Sequence, residues 1–188
     1  MKPAVDSTLE EQIRECFGRV AYSHKTHECM SDRANEVLKR YRIGQIALTG
    51  LTSAGAVTVL FSNDGWAEVA TAALAFLTFF ASTFLKDFDL GSVAQKHAEC
   101  AAKLWAIRED YLSLLTDFPH IARSEAAERR DELQSRLAAV YEGAPRTDAK
   151  AYSCAQDRLK NKEDLTFSPA EIDHFLPATL HRATPVDG

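Results

Sequence analysis

The chain has 188 residues, with 22 Lys and Arg against 27 Asp and Glu and a formal net charge of −5. It therefore lacks the global basic field of a nucleic-acid binder, and no direct nucleic-acid binding is expected. Cys16, Cys29, Cys100 and Cys154 stand singly with no CxxC pair, which argues against a zinc ribbon or a disulfide framework and reads as reduced, mostly packed thiols.

In chain order, Ser7-Thr8-Leu9-Glu10 has the spacing of a capping box and predicts a helix beginning at Ser7. Its apolar positions Leu9, Ile13, Cys16 or Phe17, Val20, then Ala34, Val37 or Leu38, and Tyr41 recur at three and four, with His24 and His27 on the same stripe. Charge then disappears. Residues 43–85 hold only Asp64 and Glu68, where the chain-wide 26% would give about 11 charges, a depletion that membrane spans produce. Ile43 to Phe61 is a charge-free run of 19 residues, against the ~20 a helix needs to cross a bilayer core. Residues 62–65 form a polar turn, and Trp66 to Leu85 is a second span with Trp66 at the interface. Two spans joined so closely must form a helical hairpin, because the bilayer offers no water to backbone groups. The run starts too far from the N-terminus for a secretory signal and is expected to stay in the mature protein. Lys39, Arg40 and Arg42 before the first span and Lys86 after the second predict that both termini are cytoplasmic. A hairpin buried in a soluble all-α core is the alternative.

Within the hairpin, Ala47, Gly50 and Ala54 share one helix face, and Thr71, Ala75, Thr78 and Ser82 share one on the second helix. Small faces serve helix packing, or the water-lined face of an oligomeric pore. Phe76, Phe80 and Phe84 are expected to face lipid, and Glu68 to sit at the interface. After Gly91, positions Val93, His97, Cys100, Leu104, Ile107, Tyr111, Leu115 and Phe118 approximate a heptad seam, which predicts a stalk helix antiparallel to the first. Pro119 ends it, and Ser124 can cap a helix to about Glu142 carrying Leu133, Leu137 and Val140. Another is expected from Asp148 to about Lys162, and Ser168-Pro169-Ala170-Glu171 opens a last short one. The tail from Arg182 is expected to fray. The fold class is thus an all-α membrane protein: a transmembrane hairpin (43–85) continuous with an antiparallel cytoplasmic stalk (1–42 and 86–118), plus C-terminal cytoplasmic helices and tail (119–188).

No nucleotide-binding, metalloprotease or hydrolase motif occurs, so no enzyme and no cofactor is expected. His24 and His27, one turn apart, can chelate a metal with Glu28 or His97, but two histidines alone do not specify one, and packing against the second stalk helix is the simpler reading. Tyr22-Ser23-His24-Lys25-Thr26-His27-Glu28, the hairpin with its minimal turn, and Trp105, Arg108, Tyr111, Leu114, Leu115 and Asp117 together resemble the SLATT domain. This is the two-transmembrane effector associated with SMODS nucleotide synthetases and SLOG nucleotide-sensing domains in bacterial conflict systems. The likeness covers Ser7 to Phe118, and the helices bearing Glu171, Ile172, Leu176 and Pro177 look like a subfamily extension. It implies an antiphage effector that oligomerises in the lipid bilayer and perforates or depolarises it. The trigger is expected to come from a nucleotide synthetase, SLOG-type sensor or reverse transcriptase encoded nearby. The rival reading is a membrane-anchored scaffold recruiting a cytoplasmic partner through the stalk.

Overall fold

The computed structural model describes residues 4–61, 65–87 and 89–182. It is all helical, with no strand among the described residues. Six α-helices follow in order: α1 (Ala4–Phe61), α2 (Gly65–Asp87), α3 (Leu90–Asp117), α4 (Arg123–Glu142), α5 (Ala149–Lys160) and α6 (Pro169–Phe175). Short 3₁₀ turns at Phe118–His120 and Ala178–Leu180 complete them. Of the expected turn at 62–65 only Gly65 is described, and it already belongs to α2; the tail beyond Arg182 also lies outside the described residues.

The 58 residues of α1 make a rod of about 87 Å at ~1.5 Å per residue, unbroken from the stalk into the membrane. The helix is already running at Ala4, so the Ser7 capping-box spacing does not mark its start. Phe61 ends α1, and α2 returns beside it. Asp89 then starts α3, its Oδ1 accepting the Ser92 N–H at 3.0 Å, and α3 returns along the stalk half of α1, its most extensive partner. Ala122, not Ser124, precedes α4, without a side-chain cap. Asp148 caps α5 through the Ala151 N–H at 2.8 Å, and Ser168 with Glu171 closes a capping box on α6, as its sequence predicts.

The core lies between α1 and α3 and is closed by α4. Leu9, Ile13, Cys16 and Val20 meet Cys100, Leu104, Ile107, Tyr111 and Leu114, with Ala126 and Leu133 on the flank. The seam on α3 differs from the expected one at both ends. Ala94 and Leu114 are buried where Val93 and Leu115 were expected, and Val93 is 42% exposed. A straight helix drifts against a strict heptad, so the buried stripe moves by one residue over several turns.

The thiols also depart from expectation. Cys29 on α1 and Cys154 on α5 are joined in a disulfide with Cα atoms 6.3 Å apart, while Cys16 and Cys100 are buried free thiols. The bonded pair is separated by 125 residues and becomes adjacent only because α5 folds back onto α1, so no local spacing marks it.

Apart from each other, the spans carry no cover among the described residues. Nothing in 43–61 is buried, and in 65–84 only Ala67 is. Ile46, Leu60, Phe61, Val69, Phe76, Phe79 and Phe80 are all exposed, which a water-soluble core helix would not tolerate. These apolar surfaces belong in lipid, and the soluble-core alternative is set aside. Phe84 differs from Phe76 and Phe80: it is half-buried, its ring 6.0 Å from that of Tyr41.

Candidate functional site

The stalk gathers its polar residues into one node where α1, α3 and α5 meet. Helical spacing puts His24, His27 and Ser31 on the α1 face that continues the apolar seam, so all three are buried. The His24 Nδ1–H donates to the Ala101 carbonyl of α3 at 2.9 Å, and its Nε2 lies 3.5 Å from a Glu28 carboxylate oxygen. One level towards the membrane, His27 Nδ1 and His97 Nδ1 share a hydrogen bond of 2.9 Å. One ring must donate and the other accept, so the accepting ring is neutral. Burial, then the neighbouring His97 and His24, pushes His27 down to about 4, and burial lowers His97 as well. Among the described residues no group of three or more His, Cys, Asp or Glu side chains is placed to hold a metal.

Lys25 is buried on the α5 side. Its ammonium pairs with Glu28 at 2.6 Å and with Asp164, in the loop after α5, at 3.3 Å. A buried cation is tolerable only with such partners. Glu163, at φ 53°, takes the left-handed conformation in the turn that delivers Asp164 to this position. Tyr22 stacks on Tyr152 of α5 with ring centroids 5.9 Å apart, Ser23 hydrogen-bonds the Tyr141 hydroxyl at 2.8 Å, and Arg33 pairs with Asp148. That guanidinium and the Ala151 N–H hold the Asp148 carboxyl down at about 2.

On α3, Tyr111 is fully buried in the core, and burial drives its hydroxyl pKa far up. Arg108 is buried between the rings of Phe17 and Trp105, 5.2 and 4.8 Å from their centroids, and pairs with Glu109. Trp105 is 40% exposed and tilts against His24 at 5.2 Å. It walls a groove of about 600 Å³ with an alanine floor (Ala98, Ala101 and Ala102) and polar margins at Glu28, Asp32 and Arg158. The sequence motif thus converges in space, but its members differ: Tyr111 and His27 are interior, whereas Trp105 and Glu28 reach the surface.

The hairpin is held by a ladder of small and polar contacts. Gln45 Nε2 donates to Ser82 Oγ at 2.9 Å, Thr52 and Thr78 share a hydroxyl hydrogen bond of 3.1 Å, and Gly55 lies against Thr71. The approach at Gly55 is close enough that a Cβ there would sit 2.7 Å from Thr71 Oγ1. Thr71, Thr78 and Ser82 therefore face α1 within the same chain, while Ala47, Gly50, Ala54 and Ala75 are exposed on the outside of the pair. A Cβ at Gly50 would meet nothing within 4 Å. The sequence reading centred on Ala47, Gly50 and Ala54, noted Gln45 only as a polar side chain near the spans, and passed over Thr52 and Gly55. A signal for them existed: Gln45 and Thr52 are seven residues apart, as are Thr71 and Thr78, the interval of an antiparallel seam. Asp164 and Cys154, by contrast, had no such signal.

Residues 9–171, which carry the exposed two-helix membrane unit, the long stalk and the buried histidine and lysine node, match the family model described as SMODS and SLOG-associating 2TM effector domain family 4. The chain belongs to this family. The match runs past the stalk through α4 and α5 to Glu171, so the C-terminal helices that pack on the node are part of the family unit. Membership in this 2TM effector family, with two exposed apolar helices, makes the protein a membrane protein and implies an effector of conflict systems. No curated protein and no solved structure matches the chain.

Proposed function

We propose that the protein is an inner-membrane effector of a bacterial antiphage system. Its hairpins assemble and perforate or depolarise the membrane when a partner signals infection. The observation that carries this reading is the small outer face of α1, Ala47, Gly50 and Ala54, which none of the described residues covers. In lipid, helices associate by close backbone approach at small residues, because lipid tails supply no hydrophobic drive between helices. A second copy can approach along this strip. One hairpin is too thin to enclose water, so conduction requires several copies whose Thr52, Thr78 and Ser82 hydroxyls turn from their own chain towards a shared lumen.

Lys39, Arg40 and Arg42 before the first span and Lys86 after the second support a cytoplasmic location for both termini and the node. The node and α5 then hold the closed arrangement or pass on the signal. A nucleotide synthetase or SLOG-type sensor, the partners in the family's description, or a reverse transcriptase encoded nearby, supplies the trigger. Gly50→Leu and Ser82→Leu are expected to abolish killing in induced cells while still inserting. Normal killing by inserted forms of both would overturn the reading. The second reading, a scaffold, is favoured by the Trp105 groove. It predicts that Trp105→Ala removes activity and that replacing the hairpin by an unrelated one leaves activity intact.

A further inference from the structure

The disulfide between Cys29 and Cys154 joins two helices whose other contacts are modest. The apolar part of the α1–α5 junction is small, with Cys29, Ala151 and Ala155 at its centre and Met30 beside them. Ion pairs supply much of the rest: Arg33 with Asp148, Arg158 with Asp32 at 2.9 Å, and Lys25 with Asp164. Apart from Lys25, these groups are partly open to water, where such pairs hold weakly. α3, by comparison, is held to α1 by a continuous buried seam. The cross-link therefore ties down a helix that the fold otherwise secures less firmly than α3. The cytoplasm keeps thiols reduced, so a disulfide there marks a redox-responsive pair more often than a permanent staple.

We propose that Cys29 and Cys154 form a reversible thiol–disulfide modification site that clamps α5 to the stalk when oxidised and frees it when reduced, with a low-molecular-weight disulfide of the glutathione class as oxidant. The proposal rests on the cytoplasmic orientation of the preceding reading. Cys154 is half-buried and within reach of a small disulfide, whereas Cys29 is buried behind it. The Cys154 thiolate attacks one sulfur of the oxidised glutathione. The glutathione S–S bond breaks, a mixed disulfide forms, and the first glutathione leaves as a thiolate that takes up a proton. The Cys29 thiolate then attacks the Cys154 sulfur and expels the second glutathione. Two electrons and two protons pass from the protein dithiol to two glutathione thiols. Cys16 and Cys100, buried and free, have no such partner.

The test uses the full chain in growing cells, quenched with acid and alkylated with a mass-adding maleimide. All four cysteines are expected to label in unstressed cells and two after treatment with diamide, which raises oxidised glutathione. Cys154→Ser should label at three positions in both conditions. Two labelled thiols in unstressed cells, or four after diamide, would overturn the site. A membrane-impermeant maleimide applied to intact spheroplasts expressing Ser113→Cys, at an exposed position on α3, separates the two ways of failing: labelling of that cysteine from outside breaks the orientation, and its absence leaves the chemistry at fault. In the purified protein, hydrogen exchange at α5 amides is expected to be about tenfold or more faster after reduction, with Cys154→Ser matching the reduced form. Equal exchange in both redox states would overturn the clamp. Neither readout depends on conduction through the membrane.

Discussion

The two halves of α1 solve the same packing problem in different solvents. In the stalk, Leu9, Ile13, Cys16 and Val20 bury apolar surface against α3, and each fully buried large aliphatic side chain contributes about 1.5–3 kcal/mol because water is expelled. In the hairpin the same helix meets α2 through Gln45, Thr52 and Gly55, since burying a leucine among lipid tails gains little and only close approach and hydrogen bonding remain. The stalk half is therefore expected to be the stable part of the molecule and the hairpin half the part that can exchange partners. Such an asymmetry suits the proposed effector, which would insert, wait and then reassemble in the membrane.

The largest effect is expected at the node. Removing both acids that pair with Lys25, as Glu28→Ala with Asp164→Ala, strands a buried ammonium and should cost roughly 3–5 kcal/mol of stalk stability, measured by denaturant unfolding in micelles. A loss below about 1 kcal/mol would mean that Lys25 finds water. Leu104→Ala, in the centre of the seam, should cost about 2–5 kcal/mol in the same assay.

Acid weakens the stalk by a related route. His27 is neutral in the folded state down to about 4, against 6.5 in the unfolded chain, so between those values the unfolded chain binds the extra proton. Stability should be full above pH 6.5, fall as pH drops towards 4 by up to about 3 kcal/mol, and level off below. His27→Gln should flatten that profile.

The hairpin should respond less. Gly55→Ala forces a Cβ onto Thr71 Oγ1 and is expected to cost about 1–3 kcal/mol, whereas Gly50→Ala, with open space around it, should leave the hairpin of one chain intact. Thr52→Val with Thr78→Val should cost only about 0.6–1.7 kcal/mol, read from helix-association measurements in bilayers. Equal costs in stalk and hairpin would erase the distinction between them.

The contrast also explains what the sequence made legible. Charge depletion over 43–85 and the three-and-four spacing from Leu9 to Tyr41 are local, one-dimensional signals, and they located both spans and most of the stalk seam. The placement of His24 and His27 on that stripe followed from the same spacing, and the structure adds their partners, Ala101 and His97. Contacts made by α5 were invisible for a different reason. Cys154, Asp148 and Asp164 lie more than a hundred residues from Cys29, Arg33 and Lys25, and nothing in a polar, twelve-residue helix states where it will dock. In the membrane, several faces carry small residues, and a helical wheel cannot say which one meets α2; the polar interval of seven from Gln45 to Thr52 was the better guide.

The most direct measurement is membrane potential, followed with a voltage-sensitive dye in bacteria expressing the wild type or Gly50→Leu at equal, verified insertion, with genomic neighbours present and phage added. Because a Cβ at Gly50 would meet nothing within 4 Å among the described residues, the variant should fold and insert as the wild type does. The account predicts rapid depolarisation by the wild type alone. An unchanged potential with the inserted wild type during infection, or equal depolarisation by Gly50→Leu, would contradict it.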